Sequence, residues 1–223
     1  MKNRFWEIDA MRGLAVVAMI LFHFLFDLNY FAGINVLDNA LWLWIPRAIG
    51  ATFIFLAGIA LTLSKSNPLH RGATIFAWGI IITIITYVAF PQATIWFGVL
   101  HFIGLGIIVS NYLKKYALPV GIAAIAAGAW LQTMAFSFPW LLWLGLAPTG
   151  LYTFDYYPLL PWLGVMMLGV YAGQKLYANK RTFVLPELGN AIGIKQLAFL
   201  GKNSLLIYLL HQPVLVLLVA LIK

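Results

Sequence analysis

Seven runs of mostly apolar residues follow one another along the chain, separated by short polar breaks: 10–29, 42–63, 73–90, 94–112, 117–136, 158–176 and 197–222. A helix needs roughly 20 such residues to cross the hydrocarbon core of a bilayer. Lipid admits only structures whose backbone groups are satisfied internally. The pattern therefore predicts an all-α integral membrane protein, a seven-transmembrane helix bundle that is multi-pass in a cell membrane with the lipid bilayer as its surroundings. Composition closes the other routes. Of the 223 residues 63% are hydrophobic and only 9% charged, whereas an average soluble domain is about a quarter charged. A cytosolic enzyme, a secreted disulfide domain and a disordered tail are excluded together. The chain has no cysteine, which excludes disulfides, cysteine zinc sites, iron–sulfur clusters and a thiolate nucleophile.

The breaks carry turn formers and paired charges, as in Ser66-Asn67-Pro68 and Lys114-Lys115. The stretch 137–157 is rich in Trp and Tyr but interrupted by Pro139, Gly145, Pro148 and Gly150, so an interfacial or re-entrant segment is expected there rather than an eighth span. No soluble domain, low-complexity tract or internal repeat is visible, and 1–223 reads as a single domain.

Orientation follows from the cations. With the N-terminus in the cytoplasm, Lys2, Arg4, Lys65, Arg71, Lys114, Lys115, Lys175, Lys180, Arg181, Lys195 and Lys202 lie inside or at the inner boundary. Arg12 joins them one turn into the first span, and only Arg47 and Lys223 lie toward the outside. The reverse topology violates the positive-inside rule at nearly every loop. The expectation is N-terminus cytoplasmic and C-terminus outside. The net charge of +8 is then mostly topology, and no nucleic-acid partner is needed to explain it. Basic residues before an apolar run also mark signal peptides, but the first run lacks a small-residue cleavage site and is punctuated by Asp9, Arg12, His23 and Asp27, so a retained helix is expected.

Titratable residues inside a membrane are costly and usually face a bundle interior or cavity. The first span holds the strongest group. Arg12 and His23 stand eleven positions apart; at ~100° and ~1.5 Å per residue they point within about 20° of each other, about 16 Å apart along the axis. Asp9, Met19 and Asp27 fall on the same stripe. Asp27 follows His23 by one turn, where a carboxylate can orient or charge the ring. Taken singly, Arg12 can snorkel and His23 can bond a neighbouring helix; the aligned set is harder to read that way. Arg47, His101 and His211 reach similar depths in the outer half, and His211 shares a face with Tyr208 and Gln212 beside Pro213, which is expected to kink the last span. On the cytoplasmic side Lys2, Arg4, Arg12, Lys65, His70, Arg71, Lys202 and Asn203 surround a place for a polyanion, although positive-inside statistics account for most of them. Gly169 and Gly173 read as a small-xxx-small helix contact, and the alanines of 117–136 permit close approach. There is no P-loop, GxGxxG, HExxH or GxSxG. No lysine lies in mid-span, so a retinal-type Schiff base is excluded, and no metal site is expected.

The opening Arg4-Phe5-Trp6-Glu7-Ile8-Asp9-Ala10-Met11-Arg12-Gly13-Leu14-Ala15 resembles the start of the heparan-α-glucosaminide N-acetyltransferase catalytic-domain family. That family belongs to a wider set of transmembrane acyltransferases that includes the O-antigen and exopolysaccharide acetylases. In many of these the first helix reads Asp-x-x-Arg-Gly with a His after ten further residues, a pattern matched by Asp9, Arg12, Gly13 and His23. The closing Leu200-Gly201-Lys202-Asn203-Ser204-Leu205-Leu206-Ile207-Tyr208-Leu209-Leu210-His211 and the stretch Gly98-Val99-Leu100-His101-Phe102-Ile103-Gly104 are similar too. The eukaryotic heparan enzymes carry further helices and a lumenal part not found in these 223 residues, so the acceptor stays open.

The resemblance implies transfer of an acetyl group from cytoplasmic acetyl-CoA to a sugar or glycan amine or hydroxyl at the outer face. It makes His23 the general base or transient acetyl carrier, oriented by Asp27. Arg47, His101, His211 and Tyr208 become candidates for the oxyanion or the acceptor. Asp9, Arg12, Lys65, Arg71, Lys202 and Asn203 become candidates for the CoA phosphates. N- and O-acetylation, direct and two-step transfer, and a homo-oligomer all stay open. A proton-coupled small-solute transporter using the same His, Asp and Arg residues is the alternative, and a structural or assembly protein is a third reading.

Overall fold

The computed structural model of the chain describes residues 5–35, 38–178, 189 and 191–222. Lys2, Arg4, Lys180, Arg181 and Lys223 lie outside the described residues. Among those described the protein is all-α: α1 (Trp6–Ala32), α2 (Asn39–Leu63), α3 (Pro68–Ala89), α4 (Val99–Leu113), α5 (Ala117–Leu131), α6 (Leu159–Leu176), α7 (Ile192–Lys202) and α8 (Ser204–Ile222). Local chemistry sets several ends. Glu7 and Asp9 lie in the first turn of α1, where the helix dipole favours acids. Gly33, at φ 70°, closes that helix by donating its N–H to the Asn29 carbonyl. Asn67 caps α3 by accepting from the Leu69 N–H at 2.9 Å, with Pro68 at the first helical position. Among the described residues four helices, α1, α2, α3 and α8, are long and apolar enough to cross a membrane.

The chain divides into two compact units, 1–53 with 180–223, and 54–179. In the first, α1 packs along α7 and against α8. The backbones of α1 and α7 meet at glycines: a Cβ on Gly13 would strike the Leu197 carbonyl, and one on Gly201 the Asp9 carbonyl. Val16, Met19 and Phe22 form the buried apolar side of α1. In the second unit α3 packs on α4 and α5 on α6. The expected small-residue contact of α6 is present: Gly169 meets the Phe55 backbone, and Gly173 meets Ile59 and Thr62 of α2.

The structure departs from the hydropathy pattern in three places. The run 197–222 is two helices, because Asn203 leaves the helical path at φ −101°, ψ 13° and its side-chain amide donates to the Phe199 carbonyl at 2.9 Å. The break falls at Asn203, while α8 continues through Pro213. The run 94–112 becomes helical only at Val99, because 93–97 pairs with 154–157 instead: Phe154 N–H donates to Ala93 O, and Tyr157 N–H to Phe97 O at 3.0 Å. The run 117–136 ends its helix at Leu131, and 137–157 holds no α-helix, only a 3-10 turn at Leu142–Leu144. α4 and α5 have 15 residues each, which at ~1.5 Å per residue spans about 22 Å.

Candidate functional site

The site in the first unit is built on one face of α1 and one face of α8. At the start of α1 the Asp9 carboxylate is buried, and its Oδ1 holds Arg12 Nη1 at 3.2 Å. The two are three residues apart, so one helical turn brings them together. The Arg12 side chain stays 17% exposed, so its guanidinium is fixed by Asp9 and still reachable.

Just over three turns further along α1, the His23 ring packs edge-on against the His211 ring of α8, with centroids 4.7 Å apart. The two histidines that the sequence places far apart thus form a pair. Phe22 lies against His23 and against Trp42 of α2, giving the pair an aromatic wall. His211 is buried, and its Nδ1 lies 2.7 Å from the Tyr208 carbonyl. A carbonyl can only accept, so Nδ1 carries the proton, and in the neutral ring Nε2 keeps a lone pair. His23 makes no hydrogen bond among the described residues.

Asp27 is fully buried. Its Oδ1 accepts from Gln212 Nε2 at 2.7 Å, a bond joining α1 to α8 across 185 positions of sequence. The spacing predicts a partnership with His23; the partner in the structure is Gln212. Asp27 Oδ2, Gln212 Oε1 and His211 Nε2 are all buried without a hydrogen-bond partner among the described residues. Such atoms normally find partners. All three are acceptors in this arrangement, so the place is matched to a group that brings N–H or O–H donors.

The other expected site residues are arranged differently. Arg47 is exposed and donates to the Leu43 carbonyl of its own helix. Asn203 terminates α7, and Lys202 beside it is exposed. Tyr208 contributes the carbonyl that orients His211, with its ring centroid 5.6 Å from that histidine. Lys65, Arg71 and His101 belong to the second unit. Lys65 is exposed, and Arg71 lies half-buried in the first turn of α3. His101 is buried with both ring nitrogens occupied: Nδ1 accepts from the Gly98 N–H at 3.2 Å, and Nε2 faces Thr83 Oγ1 at 3.2 Å. Thr83 itself donates to the Ile95 carbonyl, so His101 Nε2 is the donor. Those bonds tie the start of α4 to α3. No group of three His, Asp or Glu side chains able to hold a metal occurs among the described residues.

Sequence reasoning placed Gln212 on the right face but gave it no partner, since nothing in a single sequence pairs positions 27 and 212. Asp155 was also missed. Its Oδ2 accepts from the Val99 N–H at 2.8 Å, so the carboxylate caps α4 from the 137–157 connection. Burial pushes the Asp155 carboxyl up to about 6, against the downward pull of the Val99 bond. Beside it Tyr156 donates to the Leu142 carbonyl at 2.8 Å, and burial pushes its hydroxyl up to about 12. A readable signal was Asp155 as the one acid in that connection.

Among known proteins, the family model described as heparan-alpha-glucosaminide N-acetyltransferase, catalytic, matches residues 4–213. No curated protein matches the chain. No solved structure matches it either.

Proposed function

The chain belongs to the heparan-alpha-glucosaminide N-acetyltransferase catalytic family, and from that premise we propose that it moves an acetyl group from cytoplasmic acetyl-CoA to a sugar or glycan amine or hydroxyl at the outer face of a cell membrane. The observation that carries this reading is the pairing of His23 with His211 at 4.7 Å beside the buried Asp27–Gln212 bond. Two imidazoles and three unpartnered acceptor atoms suit an acceptor nucleophile that brings protons and must lose one.

On this reading the protein is a seven-span bundle with its N-terminus cytoplasmic and its C-terminus outside, as the Lys and Arg distribution favours. Arg12, held by Asp9, binds a CoA phosphate near the cytoplasmic face, with Lys65, Arg71, Lys202 and Asn203 as further candidates. Arginine–phosphate contacts are charge-assisted and strong. The pantetheine arm runs along α1 toward His23, which meets the thioester as general base or acetyl carrier. The buried Asp27 sets the field at the pair. Arg47, His101, His211 and Tyr208 are candidates for holding the acceptor or the oxyanion; the occupied nitrogens of His101 favour the other three. No charge crosses the bilayer, only a small acyl group.

The test is acetyl transfer from radiolabelled acetyl-CoA by purified full-length protein. The expected result is labelled product with an amino sugar, a glycoside or water as acceptor. A transporter or a purely structural protein gives no thioester cleavage at all.

A further inference from the structure

We infer that His211, through Nε2, takes the proton from the acceptor nucleophile. The inference rests on the acetyltransferase reading and adds the identity of the base.

A general base must present a lone pair and be held in the tautomer that exposes it. His211 meets both conditions. The Tyr208 carbonyl, 2.7 Å from Nδ1, fixes the proton on that nitrogen, and Nε2 is buried with no partner. The His23 ring, 4.7 Å away, has no bond that selects one of its tautomers. The next residue, Gln212, is bound to Asp27, so α8 is fastened to α1 one position from the base and the two imidazoles keep their spacing. Asp27 Oδ2 and Gln212 Oε1, also unpartnered, accept the acceptor group's remaining N–H or O–H donors or those of its neighbouring hydroxyls.

In the step itself the acceptor's N or O lone pair forms a bond to the acetyl carbonyl carbon, and its proton passes to His211 Nε2. The carbon–sulfur bond to CoA breaks with its electrons on sulfur. The Nε2 proton then neutralises the thiolate, returning a neutral imidazole. One acetyl-CoA and one acceptor become one acetylated acceptor and one CoA thiol.

The experiment uses His211→Asn in the full chain. Its side-chain amide can still donate to the Tyr208 carbonyl, so the helix contact is kept while the base is removed. With glucosamine, methyl glucoside and water as probe acceptors, kcat is expected to fall about 10²- to 10⁴-fold. Calorimetric acetyl-CoA binding should be unchanged, and free imidazole should restore part of the rate. His211→Gln replaces it if His211→Asn elutes aggregated. The four histidines of the chain also allow selective nitrogen-15 labelling: wild-type protein should show one neutral ring protonated at Nδ1 that is absent from His211→Asn. Wild-type kcat in the variant, or imidazole rescue of His23→Asn but not of His211→Asn, overturns the inference while leaving the acetyltransferase reading intact. Wild-type protein that cleaves no acetyl-CoA overturns both.

Discussion

On the proposed acetyltransferase reading, Arg12 and His23 divide the work along α1 by position. Arg12 sits near the N-terminal end of the helix, clasped by the buried Asp9 carboxylate. Arg12→Ala should therefore weaken acetyl-CoA binding and leave the reacting atoms in place. His23 lies too far along the helix to touch a phosphate and stands against the His211 ring, so His23→Ala should retain binding and lose roughly 10²-fold or more in rate, as loss of a group at the reacting atoms does. Calorimetry and a transfer assay on the same detergent-purified variants separate the two; equal CoA affinity in Arg12→Ala moves the phosphate site to Lys65, Arg71 or Lys202. Asp27 offers a finer test. Asp27→Asn keeps an oxygen for the Gln212 amide but removes the buried charge. Turnover should fall more than acetyl-CoA affinity, and full turnover in folded protein would make Asp27 a helix-to-helix tie only. Much of this site was legible at the residue scale. An eleven-residue interval on a helix is a geometric statement, and it put Arg12 and His23 on one face. The ring contact with His211 and the Asp27–Gln212 bond were not legible, because they depend on how α8 rotates against α1.

Glycines bring the backbones of α1 and α7 into direct contact. Gly13 and Gly201, one in each terminal motif, each place a backbone carbonyl of the other helix where a Cβ would stand. Backbone cannot move aside cheaply, so Gly13→Ala or Gly201→Ala should destabilise the protein by about 1–3 kcal/mol or more. Gly193→Ala on the same α7 meets nothing and should be neutral or stabilising by up to about 1 kcal/mol. Thermal unfolding in detergent compares all three, and equal melting temperatures would mean the helices are not in backbone contact. A second element-scale prediction concerns the cap on α4. Burial pushes the folded Asp155 carboxyl up to about 6 from an ordinary carboxylate value of 3.8. The folded state thus holds the proton more tightly, and the stability this contributes is present below about pH 4 and lost as pH rises through about 6. Asp155→Asn keeps an acceptor for Val99 and has nothing to titrate. Its melting temperature relative to wild type should rise between pH 4 and 6 and then level off; a constant difference would contradict the assigned burial. Hydropathy found the helices because each carries a long apolar run. It could not find the break at Asn203 or the delayed start of α4, where a side-chain amide and a pairing with distant 154–157 decide the backbone.

At the scale of the whole molecule, the membership of residues 4–213 in one acetyltransferase family agrees with a chain too apolar to be soluble. Which side each end faces is testable directly. A reporter fused after Lys115 should be cytoplasmic and one inserted near Asp155 should be outside, and an external Lys115 would reverse the direction of transfer. The division of the chain into two compact units was not visible in composition, which is uniformly apolar from end to end. It places the paired histidines in the first unit and His101 in the second. The central claim is that this helical membrane protein transfers acetyl groups, and one measurement addresses it most directly. Purified protein reconstituted in liposomes is given radiolabelled acetyl-CoA outside or inside, with glucosamine and methyl glucoside on both sides and product collected from each. Acetylated sugar should form on the side opposite the acetyl-CoA that is used, and His23→Ala should abolish it. Acetyl-CoA that remains intact on both sides of the membrane would contradict the claim.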